Sequence, residues 1–299
     1  MNEAPRKKLW GIPWWFRGTA PPRWRKIKNR EAGDVELFLR RRESWYAGAC
    51  GRFLNRNPRK DQIWAWREYE GFFSALFLYS KRTMVPVFNG KTNIPLSRFI
   101  LRHFRMAPVH AVQGLREEAL AVEEALAETG FAARETIDYD LMALDTEPPE
   151  ENFRAGPPEL VLRPPVVEDM NTLFTLQEGY EKEEVLPAGA VFNSVSCRLG
   201  LLRMLEKGQI LAAEMDGRMV GKINTSAVSF TRCLIGGVYV HPDYRGRGIA
   251  RRMIAEFTRN LISQGWGTTL FVKKKNAAAR SVYRRTGFQP FADYRISYY

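Results

Sequence analysis

Apolar positions in the second half of the chain recur with periods that predict alternating helices and strands. One segment carries an apolar residue at every fourth position, at Ile249, Met253, Phe257 and Leu261. This spacing places the four side chains on one face of a helix. Gly265 follows as a stop signal. We therefore predict an amphipathic helix of good length here.

The surrounding pattern predicts a mixed α/β fold. Short apolar runs indicate strands at 160–163, 210–214, 219–226, 234–240, 269–272 and 293–299, and helical spacing indicates helices at 167–179, 193–206 and 277–286. Asp216-Gly217 lies between the second and third strands, a dipeptide typical of a tight hairpin. We expect a mixed, mostly antiparallel sheet flanked by helices.

A weaker copy of this pattern precedes it. Strands are predicted at 63–66, 72–79, 84–88 and 109–112, with an acidic-glycine turn at Glu70-Gly71 and helices at 95–104 and 115–128. Each half then ends in a Thr-Gly-Phe triplet followed by Asp-Tyr, at 129–131 and 286–288. Repetition of this kind indicates two copies of one fold.

Residues 147–159 separate the two copies. This segment contains four prolines and one glycine and has few apolar residues, a composition typical of linkers. The predicted organisation is an N-terminal arm at 1–30, a first domain at 31–146, the linker, and a second domain at 160–299.

The arm is strongly basic and aromatic. It holds nine of the Lys and Arg residues against one acid, Glu3, while the chain as a whole carries +13. Four tryptophans alternate with these bases at 10, 14, 15 and 24. The arm could bind nucleic acid or an anionic membrane surface. We favour a strap whose aromatic side chains pack on the following domain.

Composition excludes several other classes. The sequence contains no run of eighteen apolar residues, so a membrane-spanning helix is not expected. Cys50, Cys197 and Cys233 are far apart and have no histidine at metal-ligand spacing, which indicates neither disulfides nor a metal site. We expect a cytoplasmic protein without a metal.

The segment 236–253 is the strongest candidate for chemistry. A predicted strand leads through a loop with Gly246 and Gly248 directly into the amphipathic helix. A helix N-terminus offers free N–H groups to an anion, and glycine lets a phosphate approach the backbone. The loop lacks both the third glycine of a dinucleotide-binding turn and the Gly-Lys-Ser/Thr ending of a P-loop.

Two motifs in this half resemble the GNAT superfamily of acetyl-CoA-dependent N-acetyltransferases. The run RGRGIA at 245–250 is similar to its pyrophosphate-binding motif Q/R-x-x-G-x-G/A, and VYVHP before it resembles the splayed central strand. The run LFVKKKNAAARSVYRRTGF at 270–288 resembles the second motif, in which an asparagine opens a helix that carries a tyrosine. The resemblance covers about 160–299.

The resemblance implies roles for individual residues. The backbone of Val238 and Val240 would face the pantetheine arm and the thioester carbonyl. Tyr283 would protonate the departing thiolate, although its spacing from Ala279 also suits a core aromatic. The implied acetyl-CoA contacts are Val238, Tyr239, Val240, Arg245, Gly246, Arg247, Gly248, Ile249, Ala250, Arg251, Asn276, Ala279 and Tyr283.

The proton acceptor is not identified by the motifs. Many relatives place a carboxylate on the central strand, where this chain has Gly236 and Gly237. Candidates elsewhere are Glu181 and Glu184 in an acidic run, which also suits a solvated helix end, and Glu214 on a strand.

The first half lacks both motifs, with NGKTN at 89–93 in place of the loop. A degenerate first half with an active second half resembles the glycine N-acyltransferase-like branch and certain bacterial two-domain GNAT proteins. The resemblance implies acetyl transfer from acetyl-CoA to a primary amine, on a small molecule or a peptide, by direct attack in a ternary complex. The alternatives are a regulatory module that binds acetyl-CoA, or a nucleic-acid or membrane-surface protein that uses the arm.

Overall fold

The computed structural model of the protein describes residues 22–69, 72–91 and 94–299. The predicted turn at 70–71 and most of the N-terminal arm therefore lie outside the described residues. Within the described part, twelve strands form one continuous mixed sheet, with helices packed on its faces. The predicted α/β fold class is confirmed.

The first half contains six strands and four helices in its described residues. In chain order these are β1 (Arg23–Lys26), α1 (Ala32–Arg40), α2 (Glu43–Leu54), β2 (Gln62–Tyr69), β3 (Phe72–Ser80), β4 (Thr83–Val87), α3 (Ser97–Phe104), β5 (Ala111–Leu115), α4 (Arg116–Ala127) and β6 (Glu135–Leu144). The sequence did not predict α1 or α2. Helix α2 holds Gly48 and Gly51 and has a non-helical residue at Tyr46, so its helical pattern is weak.

The second half follows the predicted order closely. Its elements are β7 (Val161–Arg163), α5 (Met170–Tyr180), a π-helical turn (Glu181–Val185), α6 (Ser194–Glu206), β8 (Ile210–Met215), β9 (Arg218–Val228), β10 (Arg232–Val240), α7 (Ile249–Ser263), β11 (Gly267–Lys273), α8 (Ala277–Arg285) and β12 (Gln289–Tyr298). Asp216 and Gly217 both have positive φ, as the predicted hairpin requires.

The two halves repeat one order of elements. Strands β2, β3 and β4 precede α3, β5, α4 and β6, just as β8, β9 and β10 precede α7, β11, α8 and β12. In each half the strands on either side of the first helix of this series are parallel neighbours. The predicted strand at 109–112 is displaced, because β5 begins at Ala111.

The last strand of each half pairs with a strand of the other half. The sheet order is β1-β2-β3-β4-β5-β12-β6-β11-β10-β9-β8-β7. Strand β12 pairs with β5 of the first half, and β6 pairs with β11 of the second. Backbone hydrogen bonds therefore join the halves along these ladders. The division into separate domains at 147–159 stays a prediction.

The predicted linker packs on the second half. Asn152 is fully buried and accepts a hydrogen bond from the Arg251 Nε. The Arg259 guanidinium lies 3.9 Å from the centroid of the Phe153 ring. These contacts hold the segment against α7.

The end of the basic arm is built into the first half. Strand β1 pairs antiparallel with β2, and Trp24 stacks on Phe99 with ring centroids 4.6 Å apart. The indole N–H of Trp24 donates to the Pro95 carbonyl at 3.1 Å. At Trp24 the geometry matches the strap interpretation. Trp10, Trp14 and Trp15 lie outside the described residues.

Candidate active site

The central feature of the candidate site is a gap between two parallel strands. Strand β10 pairs with β11 only from Arg232 to Leu234, opposite Gly267 to Thr269. Beyond Leu234 the register with β11 ends. The register between β10 and β9 also shifts between Gly236 and Tyr239 by one extra residue in β10. A bulge of this kind re-aims the backbone and bends the strand.

The two glycines of the bulge make room for side chains from β9. A Cβ atom at Gly236 would lie 2.0 Å from the Ser226 Oγ, and one at Gly237 would lie 1.7 Å from the Asn224 Oδ1. Gly237 also has φ +60°, which favours glycine. The space where relatives would carry a carboxylate on this strand is thus filled from the neighbouring strand.

Lys222 is the buried cation of the site, and the sequence did not identify it. Its side chain is fully buried. The Nζ donates to the Asn224 Oδ1 and to the Gly237 carbonyl, each at 3.0 Å, and lies 5.0 Å from the Tyr180 ring centroid. Burial lowers the pKa of Lys222 to about 7. In the sequence, Lys222 is one of several polar residues on β9 (Arg218–Val228), and none of the motifs includes it.

The glycine loop leads into an uncapped helix N-terminus. Gly246 and Gly248 have φ values of +78° and +82°. Gly248 is the N-cap residue of α7 and provides no side-chain cap, so the first amides of the helix have no intrahelical acceptor. A Cβ at Gly246 would meet nothing within 4 Å. The geometry therefore suits a phosphate group on the backbone of this loop.

The arginine side chains of the loop are engaged with other protein groups. Arg245 forms an ion pair with Glu183 at 2.8 Å and donates to the Val240 carbonyl at 2.9 Å. Arg247 donates to the Asp243 carbonyl at 3.1 Å. With Arg251 held by Asn152, the backbone amides of the predicted motif are better placed to bind an anion than its guanidinium groups are.

A cleft of about 480 Å³ opens at the gap. It brings together predicted residues from distant parts of the chain: Glu181, Glu184, Val238, Asn276, Ala279 and Tyr283. The first half also contributes to its wall, through Gln113 on β5 and Tyr139 on β6. The exchange of terminal strands places these two residues beside the second half. This contribution depends on strand order and cannot be read from local motifs.

Tyr283 lies in the last turn of α8 and lines the cleft. Its ring contacts Phe288 edge to face, with centroids 5.9 Å apart. Burial raises the pKa of the Tyr283 hydroxyl, and the nearby Tyr180 and Glu184 raise it further. The partly buried ring packs against the core, and the residue also lines the cleft, so the choice between a core aromatic and a proton donor stays a prediction. The hydroxyl stays protonated at neutral pH and can act as a proton donor.

Asn276 caps helix α8 and contacts the acidic turn. Its Oδ1 accepts from the Ala279 amide at 3.0 Å, and its Nδ2 donates to the Glu184 Oε1 at 3.1 Å. The other oxygen of Glu184 is 3.1 Å from the Lys273 Nζ. Both oxygens of Glu184 are thus engaged.

Glu181 has a different environment. Its Oε1 accepts from the Gln177 Nε2 at 3.0 Å, and the Cys197 thiol is also within hydrogen-bonding reach of its carboxylate. The turn that carries Glu181 is π-helical, a conformation that is frequent at functional sites.

The structure places Glu214 outside this cleft. Its Oε2 accepts from the Arg163 Nε at 2.8 Å, and Arg163 also forms an ion pair with Asp169. Glu214 lies on β8 opposite Val161 of the edge strand β7. In the structure Glu214 joins the sheet edge to the segment before α5 through Arg163, and its role as a candidate base stays a prediction.

The three residues of β10 that were predicted to contact acetyl-CoA, Val238, Tyr239 and Val240, have different surroundings. Val238 lines the cleft. Tyr239 instead donates its hydroxyl proton to Glu183 at 2.7 Å, and the Val240 carbonyl is occupied by Arg245. Of these three residues, Val238 has the geometry to contact a ligand in the cleft.

The described part of the chain can also be characterised by its possible metal ligands, its cysteines and its longer helices. No group of three or more His, Cys, Asp or Glu residues there could hold a metal ion. The three cysteines are buried and unpaired. No helix among the described residues is both long and apolar enough to cross a membrane.

Comparison with known proteins agrees with this geometry. The sequence profile of the acetyltransferase (GNAT) family matches residues 175–288. The matched segment includes the gap, the glycine loop, Asn276 and Tyr283.

Curated relatives match part of the chain. An acetyltransferase of Sodalis glossinidius is 36% identical over 83 residues, which are 26% of this chain and 56% of the relative. An acetyltransferase of Pectobacterium atrosepticum is 32% identical over 83 residues, again 26% of this chain and 56% of the relative. The chain thus spans about half the length of the curated relatives it matches.

Solved structures share the fold across most of the chain. A GCN5-related N-acetyltransferase of Sphaerobacter thermophilus is 18% identical with a TM-score of 0.60, covering 92% of this chain and 94% of its own. A tandem GNAT protein from the clavulanic acid biosynthesis pathway is 13% identical with a TM-score of 0.60, covering 92% and 97%. At these identities the likeness establishes the fold alone. It covers both halves of this chain.

Proposed function

We propose that the second half transfers an acetyl group from acetyl-CoA to a primary amine by direct attack in a ternary complex. The observation that carries this proposal is the β10–β11 gap, whose cleft is lined by Tyr283, together with the uncapped N-terminus of α7 that follows β10 in the chain. The loop amides would hold the pyrophosphate, with the open space at Gly246 admitting it. The thioester would lie in the gap beside Val238.

Two residues of the cleft would carry out the proton transfers that the reaction needs. Tyr283 is protonated and would supply a proton to the departing thiolate. The attacking amine must lose a proton, and we take Glu181 as its acceptor. Glu184 is held by the ammonium of Lys273 and the amide of Asn276, whereas Glu181 has the amide of Gln177 and the weakly donating thiol of Cys197. Of the three glutamates that the sequence left open, Glu181, Glu184 and Glu214, this proposal assigns the role of proton acceptor to Glu181.

The first half would act as a wall of the acceptor site through Gln113 and Tyr139, without a transfer site of its own. The acceptor would be a small-molecule or peptide amine. A glycine N-acyltransferase-like character of the second half remains part of the proposal. We further propose a cytoplasmic location, since the cysteines are unpaired.

The test uses the purified full chain. Binding of acetyl-CoA is measured by calorimetry, and thioester consumption is followed with a panel of primary amines. Tyr283→Phe should lower kcat roughly 100-fold or more with little change in acetyl-CoA affinity, because the ring remains. Tyr79→Phe, whose hydroxyl bonds the Pro108 carbonyl in the first half, is the matched control.

Two results would contradict the proposal. Full turnover by Tyr283→Phe would show that the tyrosine does not protonate the departing thiolate. Tight binding of acetyl-CoA without thioester consumption for any amine would favour a regulatory module instead.

A further inference from the structure

The role of Lys222 is not explained by the transfer chemistry described so far. A fully buried ammonium costs free energy unless it is hydrogen-bonded. Here two of its donors are satisfied by the Asn224 Oδ1 and the Gly237 carbonyl, and the third side of the group faces the Tyr180 ring. The ammonium thus sits directly against the bulge of β10.

Its contact with Gly237 fixes the direction of the next amide. A trans peptide is planar, so the carbonyl of Gly237 and the N–H of Val238 point in opposite directions. Because the carbonyl points at Lys222, the Val238 N–H points away from it. On the side of β9, Gly236 pairs with Asn224 and the next paired residue of β10 is Tyr239, opposite Lys222. On the side of β11, the pairing of β10 ends at Leu234. The Val238 amide is therefore outside both ladders, in a residue that lines the cleft.

We propose that Lys222 is a positioning residue of the transfer site: it holds the Gly237 carbonyl so that the Val238 N–H donates to the thioester carbonyl of bound acetyl-CoA. This inference rests on the proposed function. A preorganised donor at the carbonyl oxygen stabilises the negative charge that develops there during attack. The positive charge of Lys222, one peptide unit away, strengthens the donor by polarising that peptide.

The environment of Lys222 makes this device sensitive to pH. The groups that face it are Tyr180 from α5, Glu181 from the π-helical turn and Cys197 from α6. Burial lowers the pKa of Lys222, and Cys197 and Glu181 oppose that effect. The ammonium therefore loses its proton at a lower pH than an exposed lysine would.

The experiment measures the donated hydrogen bond without any acceptor amine. Acetyl-CoA labelled with 13C at the thioester carbonyl is bound to the full-length protein, and the carbonyl stretch is recorded by infrared difference spectroscopy. In the wild type the band should lie at lower frequency than in free acetyl-CoA. In Lys222→Met it should return toward the free value, and kcat should fall roughly 10-fold or more, while the acetyl-CoA Kd changes less than about twofold.

The controls separate positioning from a general loss of structure. Lys222→Arg keeps donors at this position and should retain part of the band shift. Lys207→Met removes one positive charge at the exposed end of α6 and should leave the band and kcat unchanged. If Lys222→Met does not fold, the wild type is titrated from about pH 6 to about pH 9, and the band should move toward the free value as Lys222 deprotonates.

The outcomes distinguish this inference from the proposed function. An identical band in the wild type and Lys222→Met, both with acetyl-CoA bound, would overturn the role of Lys222 and leave acetyl transfer intact. In the titration, a band that does not move would overturn it likewise. Failure of the wild type to bind acetyl-CoA would instead defeat the proposed function itself.

Discussion

Replacing Lys222 by methionine should change how the stability of the protein depends on pH. The lysine pKa falls from 10.5 to about 7 in the folded protein because the side chain is buried. Between these two values the unfolded chain binds one more proton than the folded chain, so the free energy of unfolding rises with pH. Below about pH 7 both states are protonated and the folded state bears the full cost of the buried charge.

The size of the effect follows from the shift. A pKa lowered by this much corresponds to roughly 4 to 5 kcal/mol, and roughly 2 kcal/mol of it is recovered between about pH 7 and about pH 9. Methionine removes this dependence. It also leaves the Gly237 carbonyl and the Asn224 Oδ1 without their donor, at about 1 to 3 kcal/mol each. The loss of unfolding free energy in the variant, relative to the wild type, should therefore be smallest at low pH and largest at high pH.

Urea unfolding followed by tryptophan fluorescence is a suitable assay, since the chain has eight tryptophans. The difference in unfolding free energy between wild type and variant should grow by roughly 2 kcal/mol between about pH 7 and about pH 9. Groups that titrate alike in both proteins cancel in this difference. Lys207→Met controls for the loss of one charge. A difference that stays constant with pH would refute the lowered pKa of Lys222.

Four further variants test other parts of the structure by chemical unfolding and turnover. Gly246→Ala should cost about 1 to 2 kcal/mol from its positive φ alone, whereas Gly248→Ala should cost more, since its Cβ would lie 2.8 Å from a backbone nitrogen; equal losses would contradict the packing described. Glu214→Gln should lose less than about 1 kcal/mol of stability and keep full turnover, and a fall in turnover would return Glu214 to the site. Trp24→Ala should destabilise the chain by roughly 1 to 3 kcal/mol, because it loses the stacking on Phe99; an unchanged unfolding midpoint would argue against the strap.

Much of the second half could be predicted because its signals are local. The helix after the glycine loop, the Asp216-Gly217 hairpin and the helix cap at Asn276 each depend on a few neighbouring residues. Helix α2 was missed because Gly48, Gly51 and the non-helical Tyr46 weaken its pattern. Helix α1 was missed although Val35, Phe38 and Leu39 have helical spacing. The ion pair of Glu214 with Arg163 could not be predicted, because a strand position does not reveal which side chain of the neighbouring strand will contact it.

The sequence by itself determined the donor side of the candidate site. The glycine loop and Asn276 are recognisable because backbone conformation and helix capping depend on adjacent residues, whereas Tyr283 was singled out only through the family resemblance. Only the tertiary structure decided which side chains surround the gap. Lys222 reaches the bulge from a neighbouring strand, and Gln113 and Tyr139 reach the cleft through the exchange of terminal strands. Such contacts depend on strand order and register, which join residues far apart in the chain.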